Sequence, residues 1–490
     1  MTGAADIALE GQGIAWSRPE LDAAAARLAQ ALQARGAWVL ATLMDNSPAW
    51  VVADLAASIA GVVHVPLPAF FTPQQIAHAL QAAGVDTMLT TPELATPWLQ
   101  LPRQDCMVAG QPLVLLTLPG YAVAMPSCTS KITFTSGSTG APKGVCLHEK
   151  ALRRAAWGLV SALEPLQIRR HLCVLPLAVL LENLAGVLAP LARGATVVVP
   201  PLAQVGLTGS SGFDVGAFHA AVHRHAPDSI ILLPQMLRAW TAWLQHTGQV
   251  VPPSLKIVAV GGAAVGERLV RAARECGIPA YEGYGLSEGG SVQTLNLPGA
   301  DRPGSAGRAL PHARVRIAAD GEIEISGTVM AGYLGDPRPV PQWWPTGDLG
   351  SIDEDGFLHV QGRKKNVLIT GFGRNVSPEW VETALRSQQL VAQAVVFGDG
   401  QPALSAVVWP LAATLPDAEI DAAVQAANAG LPDYARVARW VRGRAAFSAQ
   451  SGMATANGRP QRDAILALHA EALGIAPAAT AQRGDHALLS

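Results

Sequence analysis

Hydrophobic residues in the first part of the chain recur with two alternating periods. Ala- and Leu-rich segments with apolar positions three or four residues apart predict helices at 19–35, 50–60 and 72–83. Short apolar runs between them predict strands at 37–43, 62–66 and 87–90. Because strands that alternate with helices form parallel sheets covered on both faces, this rhythm predicts a doubly wound α/β body.

The pattern changes twice further along. The same rhythm predicts strands at 172–177, 196–200, 229–233 and 256–260 and a helix at 267–276. Strands predicted at 315–317, 322–325 and 357–360 are joined by acidic turns, which indicates a small antiparallel β region. The remaining pattern predicts strands at 367–370, 394–397 and 404–409 and helices at 378–387 and 418–428.

These patterns predict an α/β protein with two domains. A large N-terminal domain, residues 1–362, would contain the doubly wound sheets and the small β subdomain. A small, mobile α+β C-terminal domain would span 363–474, and the Ala-rich tail 475–490 is a candidate for disorder. A chain of 490 residues is also too long for one ordinary domain.

Composition excludes several classes of function. The net charge of −2 and the 15% of charged residues give no basic footprint for nucleic acid or anionic membrane. The N-terminus lacks the basic and apolar regions of a secretory signal, which favours a cytoplasmic location. The longest apolar stretch, 172–190, is interrupted by Glu182 and Asn183, so a buried segment is expected rather than a membrane span. Five cysteines without paired ligand spacing disfavour a disulfide framework and structural zinc.

Residues 133–144 read TFTSGSTGAPKG, a loop of glycines and hydroxyl side chains that ends near Lys143. Glycines let backbone N–H groups approach phosphate oxygens, hydroxyls add donors, and lysine neutralises charge. Only six of the 35 basic residues are lysine, so a lysine here indicates a need for a compact cation. The Walker pattern is absent because Gly144, not Ser or Thr, follows Lys143. The loop therefore predicts a polyphosphate site of another kind, with a plain flexible connection as the alternative.

A second glycine-rich turn, 261–266, follows a predicted strand and precedes a predicted helix. With Glu282 further on, it imitates the dinucleotide fingerprint of nicotinamide oxidoreductases. Ala263 stands where the second glycine of that fingerprint belongs. A nicotinamide oxidoreductase is therefore an alternative that leaves the loop at Thr135 unexplained.

Five segments in order resemble motifs of the AMP-forming acyl-CoA synthetase, adenylation-domain and luciferase superfamily. They are the loop 133–144, YEGYGLSE at 281–288, TGD at 346–348, GRKKNVLITGFGRNVSPE at 362–379 and TANGRPQR at 455–462. The resemblance implies that ATP and Mg²⁺ bind here. The residues implied to bind nucleotide are Thr135, Ser136, Gly137, Ser138, Thr139, Gly140, Lys143, Gly262, Ala263, Ala264, Glu282, Gly283, Tyr284, Ser287, Asp348, Arg363 and Arg459.

The resemblance also implies individual roles. Tyr284 would stack on adenine, Asp348 would accept hydrogen bonds from the ribose hydroxyls, and Glu288 would hold Mg²⁺. The implied catalytic residues are Lys143, Ser287, Glu288 and Arg459. Lys365 would be the hinge about which the small domain rotates.

Arg459 is the main departure from the family pattern, which has lysine at this place. A guanidinium still delivers positive charge to the reacting phosphate, which favours an active ligase. Arginine and lysine differ in shape and hydration, so a nucleotide-binding descendant with weakened catalysis or no CoA step is the alternative.

By the same resemblance, the acyl pocket would include Val179, Pro234 and Gly285, in largely aliphatic surroundings. The segment 175–182 carries no aspartate to pair with an ammonium group, which disfavours an amino acid substrate. The expected function is ATP-dependent activation of an apolar, fatty-type carboxylic acid. The expected acceptor is the thiol of CoA or of a carrier protein's phosphopantetheine.

Overall fold

The computed structural model describes residues 7–135, 142–209, 212–371, 374–455 and 458–475. Contacts divide the chain into two compact units, Met1–Gln361 and Gly362–Ser490. Apart from Ile475, the tail considered for disorder lies outside the described residues.

The strands of the described ranges are numbered along the chain. They are β1 (Ile7–Gly11), β2 (Ile14–Ser17), β3 (Val39–Leu43), β4 (Val63–Leu67), β5 (Thr87–Thr90), β6 (Arg103–Val108), β7 (Gln111–Thr117), β8 (Thr129–Thr135), β9 (Lys143–His148), β10 (Arg170–Leu172), β11 (Thr196–Val198), β12 (Leu207–Thr208), β13 (Gly212–Phe213), β14 (Ser229–Leu232), β15 (Ile257–Val260), β16 (Ala280–Leu286), β17 (Ser291–Leu295), β18 (Arg308–Ala309), β19 (Ala313–Ile317), β20 (Glu322–Gly327), β21 (Gly332–Tyr333), β22 (Trp344–Ile352), β23 (Leu358–Arg363), β24 (Leu368–Ile369), β25 (Asn375–Val376), β26 (Val391–Phe397), β27 (Leu404–Pro410) and β28 (Val437–Arg442).

The α-helices of the same ranges are numbered in the same way. They are α1 (Arg18–Ala34), α2 (Pro48–Ala60), α3 (Pro73–Ala82), α4 (Glu149–Leu163), α5 (Ala189–Arg193), α6 (Val215–His225), α7 (Pro234–Thr247), α8 (Glu267–Glu275), α9 (Pro378–Arg386), α10 (Asp417–Ala429) and α11 (Arg462–Leu473). A π-helix, Glu182–Leu188, precedes α5.

Two large sheets organise the described part of the first unit. One has the order β18-β17-β16-β15-β14-β10-β11-β1-β2, and its centre from β16 to β1 is parallel. The other has the order β21-β9-β8-β4-β3-β5-β7-β6, with parallel pairing from β8 to β5. Strands β19, β20, β22 and β23 form a smaller sheet. The predicted α/β class, with doubly wound sheets and a small β subdomain, is confirmed.

Helix α2 shows how local sequence and packing agree. Ser47 caps its N-terminus by accepting the Trp50 N–H at 3.3 Å, and Pro48 follows at the first helical position. Gly61 ends the helix in the left-handed conformation that glycine adopts without strain. The helix is buried on nearly every face because its core cluster includes residues from both large sheets. An all-round apolar helix is expected at such a position.

The prediction of a strand at 172–177 is wrong, because β10 ends at Leu172. Beyond that point the side-chain amide of Asn46 takes the place of a neighbouring strand. It donates to the Leu175 carbonyl and accepts from the Leu177 N–H, both at 2.8 Å. A buried backbone satisfied in this way does not need a sheet partner.

The second unit is built around the sheet β26-β27-β28. Alternating residues of β26 serve two cores, as the period of a strand requires. Ala394 and Val396 belong to the cluster that includes α9 and α10, whereas Val395 and Phe397 belong to the one that includes α11. The predicted α+β character of this unit is confirmed.

Candidate active site

The predicted phosphate loop joins two strands of the second large sheet. Strands β8 and β9 pair antiparallel, with Thr135 opposite Lys143. Thr135 is half-buried and Lys143 is exposed. The other predicted loop residues lie outside the described part of the chain: they are Ser136, Gly137, Ser138, Thr139 and Gly140.

Tyr333 connects the loop to the predicted metal ligand. Its hydroxyl donates to Glu288 Oε1 at 2.8 Å, and the Lys143 ammonium lies 5.6 Å from the centre of its ring. The ring of Trp344 meets that of Tyr333 edge-on, with ring centres 5.8 Å apart. The structure therefore brings Lys143 and Glu288 to the same aromatic side chain.

Strand pairing explains why these distant residues meet. Strand β21 pairs with β9, which places Tyr333 opposite Val145, two residues beyond Lys143. Glu288 lies in the single 3₁₀ turn after β16, next to Ser287, and its carbonyl accepts the Met330 N–H at 2.7 Å. Sequence reasoning missed Tyr333. The Gly-Tyr pair at 332–333 is a weak local signal, and the contact depends on pairing that only the fold reveals.

Tyr284 and Asp348 form a second polar contact. The Tyr284 hydroxyl donates to Asp348 Oδ2 at 2.7 Å, and Asp348 is 5% exposed. The Asp348 N–H donates to Thr346 Oγ1 at 3.1 Å. Gly347 between them has a φ of 74°, a conformation that side chains disfavour. The hydrogen bond between Tyr284 and Asp348 thus connects the sequence motifs at 281–288 and 346–348.

Glu282, one of the predicted nucleotide-binding residues, has a buried side chain. Its side chain is 6% exposed, and its two oxygens accept the N–H groups of Gly304 at 2.7 Å and Gly266 at 3.2 Å. Burial raises the pKa of this carboxyl to about 7, against the lowering effect of the two N–H donors. The carboxylate therefore links the glycine turn 261–266 to the backbone at Gly304. This arrangement does not offer the ribose acceptor that the nicotinamide hypothesis requires.

Four more of the predicted nucleotide-binding residues lie in the turn after β15 and within β16. Gly262, Ala263 and Ala264 are exposed in the turn between β15 and α8. Gly283 is half-buried in β16, opposite Leu295 of β17.

The three predicted acyl-pocket residues lie on three different segments. Val179 is half-buried before the π-helix, and Pro234 is buried at the start of α7. Gly285 lies at a bulge between β16 and β17, where an added Cβ would come within 1.7 Å of the Ser291 carbonyl oxygen. The backbone of Ser291 therefore requires glycine at 285.

Three predicted residues belong to the second unit. Arg363 is half-buried at the end of β23, and Lys365 is exposed in a 3₁₀ turn. Arg459 is exposed at a turn in which its carbonyl accepts the Thr455 N–H at 2.8 Å. The nearby Arg462 guanidinium pairs with Glu382 at 2.6 Å inside the unit.

Comparisons with known proteins decide the family. A family model described as AMP-binding enzyme matches residues 2–334. The chain belongs to this family. A model described as AMP-binding enzyme C-terminal domain matches residues 365–474. The predicted membership of the AMP-forming superfamily is confirmed, and with it the prediction of a ligase of the acyl-CoA synthetase type. The nicotinamide hypothesis is set aside.

Relatives of this AMP-binding enzyme align over most of its length. It is 29% identical over 484 residues to the long-chain-fatty-acid–CoA ligase FadD15 of Mycobacterium bovis, which covers 77% of this chain and 78% of the relative. It is 29% identical over 422 residues to the feruloyl-CoA synthase of an Amycolatopsis species, covering 80% and 82%. The solved structure of o-succinylbenzoate CoA synthetase from Bacillus subtilis, in complex with ATP and magnesium ion, matches with a TM-score of 0.70 at 25% identity, covering 89% of this chain and 92% of that chain.

No helix in the described ranges combines the length and the apolar character needed to cross a membrane.

Proposed function

We propose that this AMP-binding enzyme uses ATP to activate an apolar carboxylic acid, with a fatty acid as the first candidate, and then transfers the acyl group to a thiol. The contact of Tyr333 with both Glu288 and Lys143 carries this proposal. It gathers an ammonium and a carboxylate from separate motifs at one edge of the site. Polyphosphate and its metal ion need that pair of charges.

The first step is attack of a substrate carboxylate oxygen on the α-phosphorus of ATP. A new oxygen–phosphorus bond forms, the bond to the bridging oxygen breaks, and pyrophosphate leaves with the electron pair. Lys143 and the hydroxyls of Thr135, Ser136, Ser138 and Thr139 would bind the β- and γ-phosphates, while Ser287 would contact the α-phosphate. The Glu288 carboxylate is a hard oxygen ligand suited to Mg²⁺, which would neutralise phosphate charge when bound.

The nucleoside would bind beside the Tyr284–Asp348 pair. A buried aspartate with a fixed backbone is suited to accept both ribose hydroxyls, and the Tyr284 ring offers an apolar face to adenine. Gly262, Ala263, Ala264 and Gly283 would form the backbone wall around the base. Glu282 would act beneath this wall by holding Gly266 and Gly304.

The second step would form a thioester. The sulfur of CoA or of a carrier protein's phosphopantetheine attacks the acyl carbonyl, the thiol proton is lost, and AMP leaves with the electron pair of the broken carbon–oxygen bond. Rotation of the second unit about Lys365 would exchange the groups that serve the two steps, with Arg363 and Arg459 among them. Named relatives that are CoA ligases favour CoA as the thiol.

Fatty and aromatic acids are both consistent with the relatives. FadD15 is named for long-chain fatty acids and the Amycolatopsis enzyme for a feruloyl group. Val179 and Pro234 supply aliphatic surface, which favours an apolar acid of either kind. An amino acid remains disfavoured because its ammonium would be unpaired.

A nucleotide-binding protein with weakened catalysis is the second candidate, and Arg459 is the observation that favours it. Arginine spreads its charge over a plane, whereas lysine delivers a compact point charge to the reacting phosphate. This candidate predicts ATP binding without acid-dependent turnover.

Pyrophosphate exchange into ATP tests these functions. The wild type and Arg459→Lys would be compared across saturated fatty acids of increasing length and hydroxycinnamic acids, with and without Mg²⁺. We expect exchange that requires both acid and Mg²⁺, and a change of no more than about tenfold in Arg459→Lys, since both side chains are cationic. If neither protein exchanges pyrophosphate with any acid while ATP still binds, the second candidate replaces the first.

A further inference from the structure

A buried cluster of three potential metal ligands lies between the end of β10 and the start of the π-helix. His171, Cys173 and Glu182 are each buried, and one ligand atom from each lies within 4.8 Å of the others. The spacing of these residues along the chain does not match a zinc motif, which is why sequence reasoning missed them. The fold brings them together because the π-helix lies beside the end of β10, where the Cys173 thiol is 3.7 Å from the Gly186 carbonyl oxygen.

The Glu182 carboxylate is incompletely satisfied. The side chain is 0% exposed, and Oε1 lies 3.1 Å from His171 Nε2. Its second oxygen, Oε2, has no hydrogen-bond partner among the described residues. A buried carboxylate oxygen without a donor is costly, so a further positive group is expected beside it.

The histidine restricts what that group can be. His171 Nδ1 lies 2.8 Å from Ser229 Oγ, which fixes the ring orientation. If Nδ1–H donates to Ser229, the Nε2 lone pair faces Glu182 Oε1, and two acceptors meet unless a proton or a metal ion lies between them. If Nε2 carries the proton instead, Oε1 gains a donor but Oε2 still has none.

Gly186 keeps this space open. An added Cβ there would lie 2.4 Å from Glu182 Oε1 and 2.8 Å from His171 Nε2. A π-helix runs through this position, and such irregular turns occur frequently at functional sites. The chain therefore places the donor atoms where no side chain intrudes.

We propose that His171, Cys173 and Glu182 bind one buried structural zinc ion. Its donor atoms would be His171 Nε2, the Cys173 thiolate and both oxygens of Glu182, with Ser229 orienting the histidine from outside. Zinc bonds of about 2.0–2.3 Å hold donor atoms of different residues about 3.3–3.8 Å apart, so the widest pair among the three residues would close by about 1 Å. One thiolate and one carboxylate balance the charge of a divalent ion, which a dry site requires. Binding releases the thiol proton to solvent.

The site would fasten the two ends of the segment 173–182 to each other. That segment includes Val179, so the ion would stiffen the proposed acyl wall. Only this effect on the acyl wall depends on the proposed function, whereas the zinc site itself does not.

Metal analysis of untagged protein tests the proposal. The protein would be produced in zinc-supplemented medium, purified without a polyhistidine tag and measured by mass spectrometry of its metals. We expect about one zinc per folded chain, falling at least tenfold in Cys173→Ser and Glu182→Gln. Cys146→Ala is the matched control, because Cys146 is as buried as Cys173 but lies outside the cluster, and it should keep its zinc.

Cobalt gives a second readout. Protein produced with Co²⁺ in place of zinc should show thiolate-to-cobalt absorption in the near ultraviolet, which Cys173→Ser abolishes and Cys146→Ala preserves. Cobalt bound to phosphate or carboxylates alone lacks that band. Folded wild type without stoichiometric zinc overturns the proposal, whatever the variants do. Zinc that persists in Cys173→Ser, or a cobalt spectrum without the thiolate band, overturns it as well.

Discussion

The two ends of the candidate site, proposed to bind the polyphosphate and the nucleoside of ATP, hold their polar groups differently. At the nucleoside end, Asp348 is buried and already accepts a hydrogen bond from Tyr284, which belongs to another sheet. At the polyphosphate end, Lys143 is exposed and Glu288 lies in a single turn held by Tyr333. The groups at the nucleoside end would contact the part of ATP that does not react. Those at the polyphosphate end would contact phosphates whose charge distribution changes during the reaction, so substitutions at the two ends should affect different kinetic constants.

Removing the Glu288 charge should have the largest effect. Glu288→Gln keeps the size of the side chain but loses the anionic metal ligand, and we expect kcat for adenylate formation to fall about 10²–10³-fold. Acid-dependent pyrophosphate exchange at saturating ATP measures it. Glu267→Gln, an exposed carboxylate on α8, should leave the rate unchanged. An unaltered kcat in Glu288→Gln would remove the polyphosphate end from the chemistry.

Lys143→Ala should come next. Loss of the ammonium should reduce kcat/KM for ATP about 10–10²-fold, since charge-assisted contacts with phosphate are lost. Lys150→Ala, an exposed lysine on α4, is the matched control. Steady-state kinetics with ATP as the varied substrate gives the answer, and equal effects in both variants would contradict a specific role.

Asp348→Asn should change binding more than rate. The amide has one acceptor oxygen in place of two, so KM for ATP should rise about tenfold while kcat changes by less than about threefold. Asp355→Asn, an exposed residue paired with Arg302, serves for comparison. A fall in kcat with an unchanged KM would reverse the proposed division between the two ends.

Glu282→Gln should affect stability and its pH dependence. The folded-state pKa of about 7 exceeds the ordinary value of 4.5, so the folded protein keeps this proton to higher pH than the unfolded chain. The free energy of unfolding should therefore fall as the pH rises through that window, by up to about 3 kcal/mol from this group. Urea unfolding at pH 5 and pH 8 should show a smaller difference for Glu282→Gln than for wild type. Equal differences would mean that Glu282 does not titrate in this range.

The sequence predicted elements well where local pattern and burial agree. Strand β5 lies at the predicted 87–90, and the helix predicted at 19–35 is α1 within one residue at each end. The strand predicted at 172–177 failed because the Asn46 side chain, far away in sequence, satisfies that backbone. No local window contains that information.

In the candidate site, too, local sequence predicted some features, while others depend on residues far away in the chain. Lys143 was predicted from the composition of its loop, whereas Tyr284, Glu288 and Asp348 were predicted from the resemblance of their motifs to those of the AMP-forming superfamily. The contact of Tyr333 with the site depends on the pairing of β9 with β21. The hydrogen bond between Tyr284 and Asp348 depends on the position of β22 beside β16. The role of Glu282 as a backbone support depends on its burial, which its motif does not indicate.

The bulge at Gly285 limits how the substrate range of this enzyme can be altered. Any side chain at 285 would collide with the Ser291 carbonyl oxygen, so this wall of the proposed pocket has a fixed depth. Ser291 itself has a φ of 91°, and its backbone is paired to the same bulge. Libraries designed to accept longer or wider acids should therefore vary Val179 and keep Gly285 constant.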